Sequence, residues 1–189
     1  MKIVTVHGFN VRDGGARTVD KLAPFIEKLG WIADIDDADY GYVDLLSVRL
    51  FKRKKHHQTI LKLAQAFTDC DVIITHSNGA YYTTQALHLI KTQKTVIHIS
   101  PALNSKTPPP KAVLRQLVLF TPHDGWVKLA SYLPAHPWGR MGARGYQGDS
   151  EKVMSIMDAN VHGHSDWFSD THISSTWQYC HNFIKEKAS

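Results

Sequence analysis

At 189 residues, 43% hydrophobic and 21% charged, the chain fits one domain that can bury a full core. A formal charge of +5 is moderate, and no apolar run approaches the roughly 20 residues that a bilayer-spanning helix needs. Two cysteines, Cys70 and Cys180, give neither zinc nor redox spacing, so unpaired thiols in a reducing setting are expected.

Met1 runs straight into a strand-like segment with no signal peptide, so a cytoplasmic location is the expectation. Residues 2–6 form an apolar strand ending at His7-Gly8-Phe9-Asn10. Gly14-Gly15 marks a flexible loop. Thr18 then caps a helix carrying Val19, Leu22, Phe25, Ile26 and Leu29 at helical spacing, and Gly30 stops it. Residues 31–35 read as a short second strand and 36–42 as an acidic, tyrosine-containing loop, while 43–51 fit strand or helix equally. The basic run Lys52-Arg53-Lys54-Lys55, followed by His56-His57, reads as a solvated loop or helix start, with phosphate or an anionic surface as the alternative. No aromatic residues alternate with these charges to stack bases, so nucleic-acid binding is not indicated. A helix over 59–67 follows, with Ile60, Leu63, Ala64 and Phe67 on one face.

An apolar strand (Val72, Ile73, Ile74) enters a tight polar turn over 75–78 and then a helix over 78–90. Residues 95–99 are a further apolar strand, closed by Ser100-Pro101, and 104–110 a proline-rich loop. The strand over 117–120 ends at Thr121-Pro122-His123-Asp124-Gly125, before a short helix over 127–132. Residues 134–148 read as an irregular loop at the rim of a pocket. There Trp138, Met141 and Tyr146 either receive an apolar group or pack the loop onto the sheet. A last strand over 152–156 leads through Val161-His162-Gly163-His164-Ser165-Asp166 to a terminal helix over 167–187. Phe168, Trp177, Cys180, Phe183 and Ile184 are its expected buried stripe.

This alternation predicts an α/β fold in one domain over 1–189: a mainly parallel sheet of about six strands with helices on both faces. Ligands in such sheets sit beyond the carboxyl ends of the strands, where all the polar turns named above fall.

Thr75-His76-Ser77-Asn78-Gly79 has the form of a nucleophile elbow, a strained strand-to-helix turn that throws out one side chain, here Ser77. The usual first glycine of the motif is replaced by Thr75, and a serine helix cap is the plainer reading of the same residues. Acyl transfer needs a nucleophile, a base, an acid to hold the base, and donors for an oxyanion. Ser77, His164 and Asp124 supply the first three, each at a strand end. Gly163 is expected to let the last loop bring the imidazole of His164 over the serine. The oxyanion donors would be the backbone N–H groups of Phe9 and Asn78, with Gly8 allowing close approach. His162 rivals His164 and His123 is a more distant rival, while Asp166 is too near in sequence to hold His164 from its far side. His7 and His76 are expected to be structural, and Asn104, Asn160 and Trp126 are candidate pocket residues. No His-Glu-x-x-His pair or other metal spacing occurs among the 12 histidines, so no metal or cofactor is expected.

His7-Gly8-Phe9, the elbow, Asp124 and Gly163-His164, in that order over nearly the whole chain, resemble the α/β-hydrolases, in layout the compact lipases and esterases without a lid domain. The resemblance implies serine-esterase chemistry through Ser77, Asp124 and His164 on a small-molecule ester, without a cofactor. It also implies that the family's first two strands are absent. Thioester or amide hydrolysis by the same triad, and an inert binding scaffold suggested by Thr75, are the alternative expectations.

Overall fold

The structure, a computed structural model, describes residues 1–8, 16–35, 53–133 and 138–186, and for 53–55 the backbone alone. The Gly14-Gly15 loop, the segments 36–42 and 43–51, Lys52 and the side chains of Arg53, Lys54 and Lys55 lie outside the described residues. Six parallel strands form one sheet: β1 (Lys2–Val6), β2 (Ile32–Asp34), β3 (Val72–His76), β4 (Lys94–Ile99), β5 (Val113–Phe120) and β6 (Val153–Met157). Their order is β2-β1-β3-β4-β5-β6. The α helices are α1 (Ala23–Glu27), α2 (Arg53–Ala66), α3 (Gly79–Leu87), α4 (Gly125–Ala130), α5 (Met141–Arg144) and α6 (Ile173–Lys185).

Alternation along the strands divides the core between two faces. Ile3, Val72, Ile74, Ile97, Ile99, Leu117 and Leu119 pack with Leu22, Ile26 and the stripe of α6. Val4, Val6, Ile73 and Val96 pack with Leu63 and Phe67 of α2 and with Tyr82 and Ala86 of α3. The expected α6 stripe is buried as a set: Phe168, Trp177, Cys180, Phe183 and Ile184. Among the described residues no helix is long and apolar enough to cross a membrane.

Boundaries differ from the sequence expectations where side chains other than the obvious apolar ones decide them. The first helical segment winds as a 3₁₀ turn (Val19–Leu22) before α1, with Pro24 at the start of α1. Thr18 makes no side-chain cap, and Leu29 lies beyond the helix end, exposed. Helix α2 begins six residues early because Lys, Arg and Gln favour helix as well as the apolar stripe does. Strand β3 runs on through Thr75 and His76, so the polar turn is tighter than expected. Strand β5 starts at Val113 and β4 at Lys94, whose buried ammonium donates to the carbonyls of Thr68 (3.0 Å) and Cys70 (2.6 Å). The terminal helix is two pieces: a 3₁₀ turn (Asp166–Phe168), then α6. Trp167 forces the break, because its indole N–H donates to Ser100 Oγ at 2.9 Å while its own carbonyl accepts from Thr176 Oγ1 at 2.8 Å.

The strand order reverses between β1 and β3, each of which leads outward in an opposite direction. The crevice at their carboxyl ends, between His7-Gly8 and Ser77-Asn78, is the position where open parallel sheets take ligands.

Candidate active site

Strand β3 delivers Ser77 into a left-handed conformation, φ 55°. Such a conformation costs a non-glycine residue about 1–3 kcal/mol and persists only where its surroundings impose it. The surroundings here are close backbone approaches. A Cβ on Gly79 would sit 2.7 Å from the carbonyl oxygen of Val6 and closer still to that of His7, so only glycine lets α3 begin against β1. A Cβ on Gly8 would sit 2.9 Å from Cβ of Ser77 and 3.3 Å from Nδ1 of His76.

Three side chains meet at this rim. His164 Nε2 lies 2.7 Å from Ser77 Oγ, and His164 Nδ1 lies 2.8 Å from Asp124 Oδ2. A carboxylate only accepts, so Nδ1 carries the proton of the neutral ring, and Nε2 is left to accept from the serine hydroxyl. Asp124 is fully buried, and its other oxygen, Oδ1, accepts from the backbone N–H of Val127 at 2.9 Å, which makes Asp124 the N-cap of α4. The turn-residue role and the imidazole-holding role therefore coexist in one carboxylate.

The rival rings lie elsewhere. His162 lies against His123 with centroids 4.7 Å apart and planes inclined by 40°, and its backbone N–H donates to Asp166 Oδ2 at 3.0 Å. Asp166 Oδ2 also lies 3.5 Å from His172 Nε2. Gly163 is not what admits the loop, since a Cβ there would make ordinary contact at 3.6 Å with Asp166. The loop is held instead by His76, whose Nε2–H donates to the carbonyl of His164 at 3.1 Å. His7 Nδ1 is 2.9 Å from the carbonyl of Gly8, a bond within its own loop.

Of the two expected oxyanion donors, Phe9 lies outside the described residues. Asn78 is buried at the start of α3, and among the described residues its backbone N–H donates to no carbonyl. Its side chain forms a bond the sequence did not suggest: Asn78 Oδ1 accepts from Trp138 Nε1 at 2.7 Å.

A cavity of about 470 Å³ opens beside Ser77 and His164. Its walls are apolar: Ala102, Trp126, Val127, Leu129, Ala130, Leu133 and Trp138. Trp126 thus lines the pocket, whereas Asn104 and Asn160 do not and instead accept from or donate within their own turns. Of the three side chains in the 134–148 segment, Trp138 faces the cavity. Met141 is fully buried with Ala80, Leu103 and Val118, and Tyr146 packs against that cluster. The segment is also less irregular than expected, because it contains α5.

Thr75, in the place of the motif's first glycine, does not crowd the turn. Its side chain is buried beside β4, with Oγ1 2.6 Å from Nδ1 of His98, the residue that β3–β4 register sets opposite it. Burial lowers the pKa of His98 to about 3, so the ring is neutral. Burial likewise holds His76 well below the ordinary imidazole value, with His164 adding to the effect. Among the described residues no group of three or more metal-ligating side chains is found.

No protein-family model matches the chain, and no curated protein matches it in sequence. Solved structures do match in fold. A putative hydrolase of the alpha/beta superfamily from Xanthomonas campestris pv. campestris is 17% identical with a TM-score of 0.56, over 98% of each chain. A putative YdeN-like hydrolase from Pectobacterium atrosepticum is 14% identical with a TM-score of 0.53, over 98% of this chain and 89% of that one. A dienelactone hydrolase-like promiscuous phosphotriesterase from metagenomic libraries is 14% identical with a TM-score of 0.55, over 98% and 85%.

Proposed function

We propose that this chain, which has the α/β-hydrolase fold, is a serine hydrolase of carboxylic esters. The observation that carries the reading is the continuous hydrogen-bonded line Ser77 Oγ–His164–Asp124, built from three strand ends and opening on an apolar cavity. In this reading His164 Nε2 takes the proton of Ser77 as Oγ attacks the ester carbonyl, and Asp124 holds the ring and stabilises the imidazolium. The Asn78 backbone N–H stabilises the oxyanion, with Phe9 as its proposed second donor. The imidazolium returns its proton to the departing alcohol. Water then attacks the acyl-serine with His164 again as base, and the acid is released. The chemistry needs only these side chains, the backbone donors and water. The described walls beside Ser77 carry no charged side chain, which supports an uncharged, apolar acyl group. Thr75, the feature that suggested an inert scaffold, instead packs by a hydrogen bond to His98.

The test is labelling with a fluorophosphonate probe and peptide mapping, together with turnover of p-nitrophenyl butyrate. Wild-type protein labels at Ser77 and hydrolyses the ester. Ser77→Ala does neither, with a loss of several orders of magnitude in kcat and an unchanged fold. Failure of the wild-type protein to label, or retained turnover by the variant, overturns the reading.

A further inference from the structure

His76 precedes Ser77 and is the last residue of β3. Strand alternation turns its side chain to the face of the sheet covered by the loop after β6 and by the 3₁₀ turn that follows it. There its ring lies under the His164 imidazole, with centroids 4.7 Å apart and planes inclined by 38°. The ring of Phe168 also meets it edge-on, with centroids 5.0 Å apart. Nε2 points at the backbone carbonyl of His164. A carbonyl only accepts, so Nε2 bears the hydrogen and Nδ1 bears the lone pair. That Nδ1 is buried without a hydrogen-bond partner. A native fold seldom leaves a buried acceptor unsatisfied, and a plain packing residue at this position would not carry one.

We infer that His76 is a positioning residue for the base, fixing the His164 ring between Ser77 and Asp124 through the bond from its Nε2–H to the His164 carbonyl. The inference rests on the hydrolase reading. The chain of effects is short. The carbonyl belongs to the residue whose ring must hold the proton of Ser77, and the loop around it has no steric constraint at Gly163. Losing the bond therefore lets the imidazole drift relative to Oγ while leaving the cavity walls in place. Misplacement on the scale of an ångström costs roughly a hundredfold in rate. Neutrality belongs to the same design, because a second positive charge under the ring would oppose imidazolium formation. The titratable groups acting on His76 are His164, from the loop after β6, and His7, from the loop after β1.

Three variants separate positioning from packing. His76→Phe keeps an aromatic ring and removes the donor. His76→Gln places an amide N–H where Nε2 was, and His76→Asn places one where Nδ1 was. For ester hydrolysis we expect His76→Phe and His76→Asn to lose between about tenfold and a hundredfold in kcat with little change in KM, and His76→Gln to recover most of that loss. The recovery is what a purely structural role would not give. Equal activity in all three variants, or a loss that tracks melting temperature and not the donor, overturns the inference. Should the variants fail to fold, imidazole nitrogen NMR of the wild-type protein decides. His76 is expected as the Nε2–H tautomer, neutral from neutral pH down to about pH 5. An Nδ1–H tautomer, or protonation of His76 within that range, overturns the inference. Since the Ser77 labelling experiment is independent, labelled wild type with an indifferent His76 sinks the inference alone, whereas unlabelled wild type sinks the hydrolase reading itself.

Discussion

Single residues at the rim each answer to more than one constraint. Gly8 is the clearest, since a methyl group there would press on Cβ of Ser77 at 2.9 Å and on Nδ1 of His76 at 3.3 Å. Neither neighbour is a flexible chain end, and Ser77 is already in a strained conformation. Gly8→Ala is therefore expected to fold yet lose about a hundredfold in kcat for ester hydrolysis. Comparing kcat with the melting temperature of the variant checks this. The meeting of Ser77, Asp124 and His164 was legible in the sequence because each follows an apolar strand in a polar turn, and strand ends gather at one edge of a parallel sheet. The Thr75–His98 and Trp138–Asn78 bonds were not legible. They depend on strand register and on a loop's return path, which no local pattern encodes.

Among the elements, the junction of β3 with α3 carries the most constraint. Helix α3 starts so close to β1 that a side chain at Gly79 would overlap the carbonyl oxygens of Val6 and His7. Backbone cannot yield as a side-chain tip can, so Gly79→Ala should cost about 3 kcal/mol or more, seen as a large drop in the urea midpoint. The glycine was readable from the elbow motif, while the helix it begins was read three residues too long at its far end. The last segment shows the converse error. Its apolar stripe gave one continuous helix, whereas the Trp167–Ser100 and Thr176–Trp167 bonds pull the first turn away from α6. A helical period reports which side chains are buried, not whether the backbone between them is unbroken.

For the whole molecule, two fully buried rings make stability depend on pH. His76 and His98 are neutral in the fold, both with lowered pKa from burial, His98 to about 3. Above the ordinary imidazole value of 6.5 the unfolded chain is neutral at both positions too, so neither ring contributes a pH dependence. Below it the unfolded chain takes up a proton at each position while the folded chain does not. Stability then falls with falling pH by up to about 1.4 kcal/mol per pH unit per ring, down to the folded values. Urea titrations between neutral pH and about pH 5 should show this slope, and His98→Asn should reduce it by about one proton. A slope unchanged in that variant would show that His98 is not one of the rings responsible. The six-strand parallel sheet itself was legible from alternating apolar runs, whereas the strand order β2-β1-β3-β4-β5-β6 was not read from the sequence. What the sequence also left open was the placement of side chains between elements.

The twofold duty of Asp124 sets a limit on how this molecule can diversify. One carboxylate starts the helix that walls the cavity and also steadies the imidazole, so the two cannot be exchanged separately. In the proposed hydrolase, retuning of selectivity has to begin beyond the first turn, at Leu129, Ala130 and Leu133. A graft that replaces the helix from its cap onward would carry turnover away together with substrate preference.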